Sequence, residues 1–101
     1  MFDVVTTKGR PDAVTLQVIG DLDIAHAPRF ATSAEDALRR RPGASVTLDL
    51  SGVEFIDSTG ISALMQLRSV VNDSGGTLGL DGCSSYVERV LRLVGLAELM
   101  G

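Results

Sequence analysis

Val46, Leu48 and Leu50 alternate with Thr47 and Asp49, the two-residue period of a strand with one buried face. Phe2 to Thr6 and Ala13 to Ile19 are rich in Val, Thr and Ile and predict two more strands. The segment Lys8-Gly9-Arg10-Pro11-Asp12 between them carries the Gly and Pro of a turn, so the chain opens on a hairpin. Thr77 to Leu80 is long enough only for a short fourth strand.

The other period is helical. Phe30, Ala34, Ala37 and Leu38 fall on one face of a helix that starts near Pro28, where a missing N–H is harmless, and ends at Pro42-Gly43. Ile61, Leu64, Leu67 and Val71 mark a second helix that begins at Asp57-Ser58-Thr59-Gly60 and stops at Asn72-Asp73-Ser74-Gly75-Gly76. Val87, Val90, Leu91 and Val94 mark a third, ending at Gly95. The predicted order is β-β-α-β-α-β-α, an α/β fold with a mixed four-stranded sheet, mostly parallel after the opening β-hairpin, and helices packed on it. No repeat, low-complexity tract or linker interrupts the sequence, and one domain over residues 1–101 is expected.

Composition narrows the function. With 45% hydrophobic residues but only 4% aromatic and no Trp, the core must be built from aliphatic side chains, with Phe2, Phe30 and Phe55 as its largest members. A formal charge of -4 argues against nucleic acid, whose phosphates require clustered cations. Arg39, Arg40 and Arg41 do cluster, but at a helix end, where cations offset the dipole. The single Cys83 leaves no internal disulfide and reads as a small buried hydrophobe in a reducing compartment. The start MFDVVTTKGR has no secretory pattern, and no run reaches the about 18 apolar residues of a membrane span, so a soluble, cytoplasmic chain without a membrane partner is expected.

Chemistry concentrates at Asp57-Ser58-Thr59-Gly60, where a strand end passes into a helix start and free backbone N–H groups gather. Read from the residues alone, Ser58 is an N-cap worth about 1 kcal/mol. A phosphate on Ser58 would also be held there, by N–H groups and the positive end of the helix dipole. Gly60, lacking a side chain, would let a partner approach the hydroxyl. Asp21 and Asp23, in the Gly20-Asp21-Leu22-Asp23 loop, suit either local capping or partner contact. Thr59 reads as a hydrogen-bond support for Ser58 or a second acceptor, and His26 as an exposed polar residue. A Ser58–His26–Asp nucleophile is disfavoured, because no G-x-S-x-G elbow exists and the chain offers one base and little room for a pocket. No metal ligand set or cofactor fingerprint is present: Asp21, Asp23 and His26 are too few, and Gly75-Gly76 reads as a turn.

Phe55-Ile56-Asp57-Ser58-Thr59-Gly60-Ile61, preceded by Val46-Thr47-Leu48-Asp49-Leu50-Ser51, resembles the signature of the STAS family, the sulfate transporter and anti-sigma-factor antagonist domains. Gly20-Asp21-Leu22-Asp23 is similar to the family's G-[ED]-[LI]-D loop, and Leu93-Val94-Gly95-Leu96 to its [LM]-x-G-L segment, so the likeness spans essentially the whole chain. In the antagonist branch the first hydroxyl residue of D-S-[ST]-G carries the phosphoryl group, which implies Ser58 here.

The resemblance implies a STAS-type fold and a non-enzymatic partner switch. The unphosphorylated chain would bind an anti-sigma factor that is also a serine kinase and so free the sigma factor. Phosphorylation of Ser58 would end binding, and a phosphatase would restore it. Asp21, Asp23, Asp57, Ser58, Thr59 and Gly60 are the partner-binding residues this implies, with no cofactor and no catalytic residue. The alternative is a STAS scaffold or transporter-associated subunit that docks a protein without a phosphorylation cycle. Many antagonists continue past the G-L segment into a further strand and helix, whereas here Glu98-Leu99-Met100-Gly101 follows, which predicts exposed apolar surface at Val94, Leu96 and Leu99.

Overall fold

The computed structural model describes residues 1–100, with Gly101 outside the described residues. Strand β1 (Asp3–Lys8) pairs antiparallel with β2 (Ala13–Ile19), and β2 with β3 (Ser45–Gly52) and β3 with β4 (Leu78–Cys83) are parallel, so the sheet order is β1-β2-β3-β4. Helices α1 (Ala27–Arg40), α2 (Ser58–Asp73) and α3 (Ser85–Leu93) follow β2, β3 and β4 in turn. A 3₁₀ turn at Ala97–Met100 follows α3. This is the predicted order and the predicted mixed sheet.

Alternation in the strands decides which face is dry. Val14, Leu16 and Val18 of β2 are buried, as are Val46, Leu48 and Leu50 of β3, while Gln17 is exposed and Thr15, Thr47 and Asp49 are half-buried on the opposite face. Register stacks the apolar set in rows, with Val14 beside Val46 beside Leu78, and Leu16 beside Leu48 beside Leu80. The helices lay their apolar faces on these rows: Phe30, Ala34 and Ala37 from α1, Leu64, Leu67 and Val71 from α2, and Val87 and Leu91 from α3. Each fully buried Leu or Phe contributes about 1.5–3 kcal/mol, so this single cluster dominates the stability of the fold.

Several expectations are corrected. Strand β1 runs on to Lys8, because Thr7 and Lys8 find partners in Thr15 and Val14. Strand β4 runs from Leu78 past the expected end at Leu80 to Cys83, because a register shift between Leu48 and Leu50 brings Cys83 opposite Leu50. Cys83 is half-buried, and desolvation, reinforced by the Glu88 carboxylate against a weaker pull from Arg92, raises its thiol pKa above the ordinary value. Leu96 and Leu99 are not exposed: the chain turns at Gly95, in a left-handed conformation with φ 83°, and inserts both leucines into the core at 1% and 3% exposure. Only Val94 of that expected patch stays outside, and Leu93 is the more exposed neighbour. The Arg68–Glu98 ion pair ties the 3₁₀ turn back to α2. At the end of α1, Arg39 pairs with Asp36, and Arg41 Nη1 donates to the Arg10 carbonyl at 2.7 Å, so these cations serve the fold.

Phe55, expected in the core, is 44% exposed. Its neighbours Val53 and Ile56 are both buried, so the segment after β3 is an irregular loop in which strict alternation fails.

Candidate functional site

The loops that leave the carboxyl ends of β2 and β3 meet at one end of the sheet. Leu22, wholly buried, is the peg of the first loop: its N–H donates to the Phe55 carbonyl at 2.9 Å, its own carbonyl accepts from the Asp57 N–H at 3.3 Å, and it forms a parallel bridge with Ile56. Backbone pairing therefore welds Asp21-Leu22-Asp23 to Phe55-Ile56-Asp57.

Asp57 completes the joint. Its backbone is extended (φ -109°, ψ -175°), and it is the N-cap of α2, with Oδ1 accepting the Gly60 N–H at 2.9 Å and Oδ2 accepting the Ile24 N–H at 3.1 Å. The cap is thus Asp57, and Ser58 occupies the first helical position instead of the cap. Asp and Ser cap equally well, so the dipeptide Asp57-Ser58 does not reveal locally which one precedes the helix. Ser58 is exposed, Thr59 is half-buried and Gly60 is buried. The Gly60 requirement is internal: a Cβ there would come within 2.1 Å of the Leu22 carbonyl oxygen and 2.9 Å of Ile56 Cγ1. Its missing side chain lets α2 start directly against the first loop, rather than opening a path from solvent.

The two loop aspartates differ. The Asp23 carboxylate accepts the His26 N–H at 3.2 Å and its carbonyl accepts the Ala27 N–H at 2.8 Å, so Asp23 organises the start of α1. The Asp21 side chain is exposed, while its carbonyl lies 2.9 Å from His26 Nδ1. Nδ1 is also 2.9 Å from Asp23 Oδ1; both oxygens are acceptors, so the proton sits on Nδ1. The ring stacks on Phe2 with centroids 4.7 Å apart and an interplanar angle of 2°, and the Arg29 guanidinium lies 5.6 Å from the Phe2 centroid. His26 is therefore a half-buried strut of the loop and not the free polar residue expected.

The structure brings together Asp21, Asp23, Asp57, Ser58, Thr59 and Gly60 on these two joined loops and the first turn of α2. It adds three residues that the sequence reading did not assign to the site, one of them, Phe55, expected in the core. Ile24 is 73% exposed, and Phe55 stacks against Tyr86 at the start of α3, with centroids 6.2 Å apart and an interplanar angle of 14°. Tyr86 is 40% exposed. No periodic signal separates these apolar residues from core ones, since each stands in a loop or at a helix end.

Chemically, the site offers an exposed primary hydroxyl at the positive end of a 16-residue helix, on a rigid frame that needs no movement to present it. Among the described residues no group of three or more His, Cys, Asp and Glu could hold a metal ion, and no helix is long and apolar enough to cross a membrane.

Comparison with known proteins agrees with this fold. The family model described as "Mlab, STAS domain" matches residues 5–101. The anti-sigma F factor antagonist of Paenibacillus polymyxa is 25% identical over 85 residues, covering 84% of this chain and 73% of that protein. The crystal structure of a provisionally assigned anti-sigma factor antagonist from Thermotoga maritima superposes with a TM-score of 0.81 at 29% identity, over 98% of this chain and 82% of that one. The Bacillus cell fate determinant SpoIIAA in its phosphorylated form shares the fold, with a TM-score of 0.72 at 19% identity over 98% of this chain and 89% of that one. On the family match across nearly its full length, and on the fold and loop architecture above, this chain belongs to the STAS domain family.

Proposed function

We propose that this chain is an anti-sigma-factor antagonist, a non-enzymatic cytoplasmic switch whose unphosphorylated form binds a serine-kinase anti-sigma factor and is released when Ser58 is phosphorylated. The observation that carries the reading is the exposure of Ser58 at the first position of α2 while Asp57, and not Ser58, holds the cap. The hydroxyl is free for transfer because the helix start does not depend on it.

In the transfer, Ser58 Oγ attacks the γ-phosphorus of ATP held by the kinase; the bond to the β–γ bridging oxygen breaks, ADP leaves, and the hydroxyl proton passes to a base of the kinase. The product carries a charge of about -1.5 to -2 beside the Asp57 carboxylate, whose own oxygens already accept from Gly60 and Ile24. In the bound state that charge would be desolvated and would face the kinase's nucleotide, a combination that costs several kcal/mol. A phosphatase then resets the hydroxyl. Asp21 presents its carboxylate outward and fits direct partner contact, whereas Asp23 and Gly60 act by fixing the frame.

A second reading is a STAS scaffold or transporter-associated subunit that docks a protein without a phosphorylation cycle, since part of the murine Slc26a9 anion transporter has the same fold, with a TM-score of 0.77 at 22% identity over 91% of this chain and 15% of that one. One experiment separates the two. The chain is incubated with ATP, Mg²⁺ and the serine-kinase anti-sigma factors encoded by its source, and its intact mass is measured with the site mapped by fragmentation. A single phosphate on Ser58, lost in Ser58→Ala, supports the antagonist; a folded protein left unmodified by every kinase moves the assignment to the second reading.

A further inference from the structure

We propose that the stacked Phe55–Tyr86 pair, with Ile24, is the apolar anchor on which the serine-kinase anti-sigma factor seats, so that these side chains set affinity and partner choice while Ser58 sets whether binding persists. The proposal rests on the antagonist reading above and names the surface through which it acts.

Two loops and the first turn of α3 carry the anchor, and all three follow the carboxyl ends of strands. Ile24 is tied to Asp57 through its N–H, Phe55 receives the Leu22 N–H on its carbonyl, and Tyr86 reaches the Phe55 ring from the first turn of α3. Each ring is backed by buried residues on its own element, Val53 and Ile56 beside Phe55, and Val87 beside Tyr86. The rings nonetheless remain 44% and 40% exposed and Ile24 73% exposed. A lone exposed apolar side chain is ordinary, and Leu93 at 79% is one such. Two aromatic rings held against each other at the same end of the sheet as Ser58 are different: each gives up little conformational freedom when covered. That is the makeup of a binding hot spot.

Charge identifies the occupant's rim. Asp21 and Glu54 are exposed and Asp57 is half-buried on the same loops, and Asp23 lies next to Ile24. Arg89, one turn along α3 from Tyr86, is the cation nearest in sequence to the rings. A surface of this kind fits a protein with an apolar pocket rimmed by Lys or Arg and, opposite Ser58, a bound nucleotide. Attraction at the rim and rejection of phosphoserine then act at different points of one interface.

The test is calorimetric titration of the whole chain into each ADP-loaded serine-kinase anti-sigma factor of the source, ADP preventing phosphoryl transfer. Phe55→Ala, Tyr86→Ala and Ile24→Ser are compared with the wild type, with Leu93→Ser as an exposed control and Ser58→Asp as the switch control. The expected result is a Kd raised about thirtyfold by each aromatic truncation, with Tyr86→Phe and Leu93→Ser close to wild type and thermal melting unchanged. If Phe55→Ala proves unstable, Ile24→Ser, which removes only an exposed side chain, carries the test. Wild-type affinity in the folded anchor variants together with loss of binding in Ser58→Asp would overturn the anchor and leave the antagonist reading standing. Failure of every kinase to bind the wild type would overturn both. A wild-type dimer in sedimentation that Phe55→Ala dissolves would assign the patch to a second copy of this chain and overturn the proposal.

Discussion

Ile24 and Asp57, 33 positions apart, are joined by a hydrogen bond from the Ile24 N–H to Asp57 Oδ2 at 3.1 Å, while the other oxygen of the same carboxylate caps α2 through Gly60. One side chain therefore fixes the helix that presents Ser58 and the loop that borders it. The geometry around the hydroxyl is a property of that carboxylate as much as of the serine.

Asp57→Ala removes both acceptors and leaves the Gly60 and Ile24 N–H groups to solvent or unpaired. A loss of about 2 kcal/mol is expected from two charge-assisted bonds, one of them a cap. Urea unfolding measures it, and Asp57→Asn, which keeps an acceptor, should recover part of it. A loss below a few tenths of a kcal/mol would mean that the carboxylate only decorates the joint.

Gly60→Ala reads in the opposite sense to the usual helix rule. In an open helix interior the change stabilises by about 1 kcal/mol. Here the new Cβ would meet the Leu22 carbonyl oxygen at 2.1 Å, a backbone atom fixed by its bond from the Asp57 N–H, so the first turn of α2 must move away. Net destabilisation of about 1–3 kcal/mol is expected in thermal or urea unfolding, with lost protection of the Asp57 amide in hydrogen exchange. A stabilised variant would show that the two loops are not in close contact.

The pKa of Asp49 lies below the ordinary carboxylate value because its carboxylate accepts first from the Ser51 hydroxyl, at 2.6 Å, and then from the Ser51 N–H, at 3.0 Å. A depressed folded pKa contributes stability that is present above the unfolded carboxylate value and is lost as pH falls through the folded one. Ser51→Ala should therefore raise the Asp49 pKa, followed by carboxyl carbon NMR. The variant should be less stable than wild type at neutral pH and converge with it in acid, where both carboxylates are protonated. A difference that persists undiminished in acid would place the effect elsewhere.

Burial pushes the Cys83 thiol above its ordinary pKa, so thiolate is scarce in the folded state. The sign for stability is that the contribution holds below the unfolded thiol pKa and is lost as pH rises through the folded value. Labelling with a disulfide reagent should have a pH midpoint above that of an unstructured cysteine peptide, and unfolding in urea should bring the two together. A folded-state midpoint at or below the peptide's would contradict the burial.

Much of the fold was legible because one physical requirement, burial of one face, writes itself as a period. Val46, Leu48 and Leu50 alternate and are buried, and Leu64, Leu67 and Val71 recur at helical spacing and are buried. The site was legible only in outline. The helix start at Asp57-Ser58 could be read, but two adjacent residues of equal capping ability do not say which caps. The answer depends on the Ile24 amide, which only the folded chain brings to Asp57. Phe55 failed for a related reason: its apolar character is the same in a core or on a recognition surface, and its orientation is set by the Leu22 bond and the Tyr86 ring from distant parts of the chain. His26 acquires its stacking partner Phe2 in the same way.

Apart from the Asp57 carboxylate, the joint between the two loops is made of main-chain atoms: the Leu22 amide and carbonyl, the Ile24 and Asp57 amides, the Phe55 carbonyl and the missing Cβ of Gly60. Side chains at 24 and 55 therefore hang on a frame that does not consult their identity. On the anchor proposal, duplicated copies of such a domain can change these residues one at a time and diverge in what they recognise, without retuning the core or the start of α2. Parallel signalling channels built on one architecture could thus be insulated from one another by a few outward-facing side chains.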